Sequence, residues 1–123
     1  MVEIIEKKSK FLGYSYQVKS AQEVESFLQE LKKEHKKATH ICYAYSICSD
    51  VVLAKAVDDG EPGGTAGRPI LNVIEKKNIK NVLTVVVRYF GGIKLGAGGL
   101  VRMYTKCASE SLKEFIESDN FGN

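Results

Sequence analysis

Long apolar runs are missing from this chain. The longest, around Val82–Val87, falls far short of the roughly 20 residues that a membrane-spanning helix needs. The start, Met-Val-Glu-Ile-Ile-Glu-Lys-Lys, has no apolar core of a secretory signal. The expectation is a cytoplasmic protein without a membrane partner. Paired cysteines are missing too. Cys42, Cys48 and Cys107 are odd in number and form no C-x-x-C, which argues for reduced thiols and against a disulfide framework or a zinc site. Internal repeats, low-complexity tracts and linkers are absent, so the 123 residues read as one domain.

What is present suffices for a core. Hydrophobic residues make up 44% and charged residues 27% of the chain, a globular balance that opposes intrinsic disorder. Net charge is only +3, but its distribution is uneven. From Lys76 to Ser109 there is no acidic residue, while Lys76, Lys77, Lys80, Arg88, Lys94, Arg102 and Lys106 are basic. Such a stretch suits a polyanion, or simply solvates a surface.

Periodicity supplies the elements. Residues 1–8 read as a loose leader, and residues 119–123 as a tail around a domain at 9–118. Ser9–Lys19 alternates as a strand. Ser20-Ala-Gln-Glu23 is a capping box that opens a helix with Val24, Phe27, Leu28 and Leu31 on one face. Thr39–Ile47 and Val51–Val57 read as strands joined by a short turn. A helix runs from Pro69 to about Lys77, Asn81–Phe90 is a central strand, and a final helix spans about Gly99 to Glu117. The order is β-α-β-β-α-β-α. It predicts an α+β fold of two layers, with helices on one face of a sheet.

Nine of the eleven glycines lie between Gly60 and Gly99, in two loops. The second, Gly91–Gly99, joins a strand to a helix, where backbone N–H groups and the helix dipole favour an anion. Gly96, Gly98 and Gly99 would let it approach, and Lys94 would add charge. Arg68, Arg88, Arg102 and Lys106 complete the candidate anion or nucleic-acid site. Arg102, Lys106 and Lys113 fall on one helical stripe. No Gly-Lys-Ser/Thr closes the loop and no G-x-G-x-x-G fits it, which disfavours a Walker or dinucleotide fingerprint.

The first loop offers Asp58, Asp59 and Glu61. Three carboxylates could hold magnesium; the bland alternative is a loop cap, or pairing with an arginine such as Arg68. His40 and Cys42 share a strand face, so a thiolate–imidazole pair is conceivable. No G-x-S-x-G or H-E-x-x-H is present. No catalytic residue and no definite cofactor is assigned. Tyr43, Tyr45 and Tyr89 could stack bases if their faces are open.

Three segments carry a resemblance. They are Ala38-Thr39-His40-x-Cys42-x-Ala44-Tyr45, Asp58-Asp59-Gly60-Glu61-Pro62-x-Gly64-Thr65-Ala66-Gly67-Arg68-Pro69-Ile70-Leu71, and Val87 through Arg102 with Tyr104. From about Lys8 to Phe115 the chain resembles the YigZ/IMPACT family. Gly63 stands where a serine is common in that family, and Met103 and Thr105 where small residues are. The resemblance implies a fold similar to the second domain of ribosomal protein S5. It also implies a further ferredoxin-like domain in bacterial members, so this chain reads as an isolated domain or a short single-domain member. Eukaryotic IMPACT proteins regulate translation by binding the activator of a kinase of initiation factor 2, aided by an RWD domain absent from this sequence.

The residues and the resemblance together lead to an expected function. It is a non-enzymatic domain binding RNA or a ribosome-associated component, linked to regulation of translation. The alternatives are a metal-dependent enzyme on a nucleotide or phosphorylated small molecule, and a regulator with a protein partner of the IMPACT type.

Overall fold

Eight elements follow one another in the computed structural model, which describes residues 1–118: β1 (Val2–Glu6), β2 (Ser9–Gln17), α1 (Ala21–Glu34), β3 (His40–Cys48), β4 (Val52–Val57), α2 (Gly67–Lys76), β5 (Val82–Tyr89) and α3 (Gly96–Glu117). The tail expected at residues 119–123 lies outside the described residues. No helix among the described residues is long and apolar enough to cross a membrane.

The five strands form one sheet in the order β1-β2-β5-β3-β4, with every neighbouring pair antiparallel. The most apolar strand, β5, is central, as its sequence predicts. Residues 1–8 are not a loose leader. Val2–Glu6 pairs with β2 through a two-residue turn, with Lys7 and Lys8 at φ 47° and 66°. Such turns are usually announced by Asn-Gly or Asp-Gly. Two lysines gave no such signal.

The α+β class holds, but the helices lie on both faces. Phe11, Cys42, Ala44, Val82 and Val86 pack with α2 and α3 in one core cluster. Leu12, Ile41, Tyr45, Leu83, Val85 and Val87, the alternate positions of the same strands, pack with Val24, Leu28 and Leu31 of α1 in the other. Two right-handed crossovers, β2-α1-β3 and β4-α2-β5, would put both helices on one face. Opposite faces mean that these two connections have opposite hands, which no residue pattern encodes.

Local signals explain the element ends. The Ser20 Oγ accepts from Glu23 N–H at 3.2 Å, as in a capping box, while the Glu23 carboxylate accepts from Lys19 N–H at 3.0 Å, one residue before the cap. The last two helices start earlier than periodicity suggests, at Gly67 and at Gly96. A Cβ on Gly67 would collide with the Val57 backbone nitrogen, so only glycine lets α2 begin against β4.

Candidate functional site

The sheet register builds the site. His40 on β3 and Phe11 on β2 both stand opposite Arg88 on β5. Directly opposed residues share a face. All three therefore project toward α2 and α3, at the end of the sheet where both glycine loops meet.

The first loop is organised by its carboxylates. Asp58 Oδ1 accepts from Ala66 N–H (3.1 Å) and Gly67 N–H (2.9 Å), and Oδ2 from Gly64 N–H (2.9 Å). Burial alone would raise the Asp58 carboxyl, but these three amides outweigh it and hold it below its ordinary value. Asp58 thus serves the orphan amides at the start of α2, whose own cap residue, Ala66, has no side-chain oxygen. Asp59 Oδ2 accepts from Ile41 N–H at 2.7 Å.

Glu61 turns inward. Both its oxygens accept from Arg88 Nη1, at 3.0 and 2.8 Å, and Oε2 also accepts from the Tyr104 hydroxyl at 2.5 Å. Arg88 Nη2 donates to Ser9 Oγ at 3.3 Å. His40 Nδ1 donates to the Asp59 carbonyl at 2.8 Å, which leaves Nε2 3.4 Å from Glu61 Oε1. The Arg88 guanidinium carbon lies 5.5 Å from the ring centroids of both Phe11 and Phe90.

Several expectations change here. The three carboxylates face different partners instead of one centre. Among the described residues no group of three His, Cys, Asp or Glu is placed to hold a metal. Glu61 pairs with Arg88, not Arg68; Arg68 lies exposed on α2, 3.4 Å from Glu75. The Cys42 thiol meets the Asp58 carbonyl (3.0 Å) and the Tyr104 hydroxyl (3.4 Å), not His40. Burial pushes that thiol well above its ordinary value, so it is not poised as a nucleophile. Tyr43 and Tyr45 face α1, and Tyr45 is buried in that core. The Tyr89 hydroxyl is 2.7 Å from His35 Nδ1, and its ring lies 5.1 Å from Lys10 Nζ.

What does converge is a cavity of about 390 Å³ between the two loops, with His40, Glu61, Arg88, Phe90, Lys94 and Gly96 in its lining. Lys94 is exposed and has no ion pair among the described residues. Beside it begins α3, whose first turn carries no side-chain cap and no acidic residue. Gly96, Ala97 and Gly98 there are exposed, while Gly99 is buried beneath Leu95. Arg102 folds back along the helix, its Nη1 3.6 Å from where a Gly98 Cβ would stand. Lys106 follows one turn on, sharing a shallow groove with Arg102. Arg88 lines the cavity, but Glu61 already neutralises it. Phe90 was not singled out by the residue pattern, although its position next to Gly91-Gly92 placed it at the loop.

The Impact N-terminal domain family matches residues 7–112. The chain is 52% identical over 110 residues to the IMPACT family member YvyE of Bacillus subtilis (strain 168), covering 89% of this chain and 51% of that protein. A crystal structure of a hypothetical protein superimposes with a TM-score of 0.83 at 33% identity, over 92% of this chain and 56% of the other. The two-domain translational regulator Yih1 superimposes with a TM-score of 0.60 at 26% identity, over 89% and 45%. The chain thus spans about half the length of the bacterial relatives it matches.

Proposed function

The chain belongs to the IMPACT family, and from that membership we propose that it is a non-enzymatic domain that binds RNA, or an RNA-bearing ribosome-associated surface, in the regulation of translation. Yih1, a translational regulator by name, shares the fold and supports the regulatory part of the reading. A cytoplasmic site of action goes with it.

One observation carries the RNA part. Lys94 and the uncapped first turn of α3 stand at the cavity, Arg102 and Lys106 follow on the exposed side of the same helix, and none of the three cations has an ion pair among the described residues. Of the nearby carboxylates, Glu61 in the cavity is spent on Arg88 and Tyr104, and Glu110 lines the groove of Arg102 and Lys106 without an ion pair to either. A surface of this kind suits phosphates, which bind by charge and amide donors without demanding a sequence.

The test is fluorescence anisotropy of a labelled RNA across salt concentrations. Each phosphate contact contributes roughly 0.7–0.9 of log–log salt slope. Lys94→Ala/Arg102→Ala/Lys106→Ala is expected to lower the slope by about 2 and to weaken binding at low salt at least tenfold. Unchanged slope and affinity would remove these cations from the binding surface. A protein partner is the second reading, favoured by the exposed Ile93 and Val101 beside the same cations. It predicts indifference to RNA.

A further inference from the structure

Phe90 is an unusual residue to leave in water. It is 46% exposed and belongs to neither core cluster, although it directly follows the buried central strand. One fixed neighbour lies beside its ring at the cavity mouth: the Arg88 guanidinium, held by Glu61 and Ser9, is 5.5 Å from the ring centroid. The cavity beside it has apolar walls from Pro62, Leu95 and Leu100, and a polar end formed by His40 and Glu61. At about 390 Å³ it lies within the roughly 300–1,000 Å³ range of small-ligand pockets. It is too confined for a duplex.

A ring, an apolar slot with polar groups at its end, and an unpaired cation at the rim together match an unpaired nucleotide. We propose that the cavity takes one nucleotide of a single-stranded RNA, with its base stacked on Phe90 and its phosphate at Lys94 and the exposed amides of Gly96–Gly98. This rests on the RNA-binding reading above and narrows it to unpaired strands. The sugar–phosphate chain then continues along α3 past Arg102 and Lys106. Stacking of this kind tolerates any base, since each has a π-face.

The experiment uses the whole chain and two RNAs of one sequence: an oligouridylate carrying a single 2-aminopurine, and the same strand paired to its complement. The single strand is expected to bind about tenfold tighter than the duplex at equal salt, and 2-aminopurine fluorescence is expected to fall on binding. Phe90→Ala is expected to weaken single-strand binding about fivefold or more and to abolish the fluorescence change. Its duplex binding should stay as in the parent. Phe90→Tyr, which keeps the ring, should retain both signals, and matching thermal melts of the two variants exclude a folding defect. Equal affinity for both RNAs, or an unaltered fluorescence change in Phe90→Ala, overturns the nucleotide pocket. If the triple cation variant still loses affinity in that case, the broader RNA reading stands. Failure to bind either RNA overturns both.

Discussion

Asp58 shows how one side chain can hold a loop in shape. Its two oxygens serve three backbone amides, and without them Gly64, Ala66 and Gly67 would keep unpaired donors at the start of α2. Removing such a cap costs about 0.5–2 kcal/mol. Asp58→Ala is therefore expected to lower stability by about 1–2 kcal/mol near neutral pH. The sign with pH follows from the lowered carboxyl. The folded state prefers the charged form, so the stabilisation is present above the ordinary value of 3.8 and is lost as pH falls through the lower folded value. Urea melts should show parent and variant converging in strong acid. A gap that stays constant down to about pH 2 would show that the charge of Asp58 is irrelevant. At this scale the sequence was partly legible: the carboxylates of the glycine loop read either as magnesium ligands or as a loop cap, and Asp58 takes the capping role. Which carboxylate meets which donor was not, because Asp58 and Glu61 are three residues apart yet face opposite ways.

Among the elements, β1 and its turn are the instructive case. Lys7 and Lys8 occupy left-handed conformations that cost L-residues roughly 1–2 kcal/mol each and glycine almost nothing. Lys7→Asn/Lys8→Gly should raise stability by about 1 kcal/mol, read as a higher urea midpoint with an unchanged slope. The close approach of Gly91 to the Lys8 carbonyl leaves this substitution unhindered, since glycine removes atoms there. A lower midpoint would mean that the lysine side chains contribute more than their backbone strain costs. The strand escaped sequence reading because it is only five residues long and its turn lacks the usual residues. Helix α3 was read from its apolar face, and its glycine-rich first turn was read as loop. Helix propensity disfavours glycine, but Gly99 fits under Leu95 and packing overrides that preference.

Across the whole molecule, Glu61 and Arg88 join a loop, the central strand, β2 through Ser9 and α3 through Tyr104. Both are nearly inaccessible, at 7% and 5% exposure. Breaking a buried pair from one side strands the other charge and costs about 3–5 kcal/mol. Glu61→Leu and Arg88→Met are each expected to destabilise by that order. The double variant should fall short of the sum by at least about 1 kcal/mol in chemical denaturation. Strict additivity would show that the two act through other partners. Arg88 consequently makes a poor probe of RNA binding, since its loss would perturb the fold first.

The order of strands and helices from β2 onward, the central place of β5, the α+β class and the family were all present in the residues, because periodicity and turn chemistry are local and a long ordered motif is distinctive. The pairing of Glu61 with Arg88, the placement of Tyr43, Tyr45 and Tyr89 away from the cavity, the hand of the two crossovers and the exposure of Phe90 arose only with tertiary structure. Each depends on which face of the sheet a side chain meets, and that is decided by contacts between segments distant in sequence.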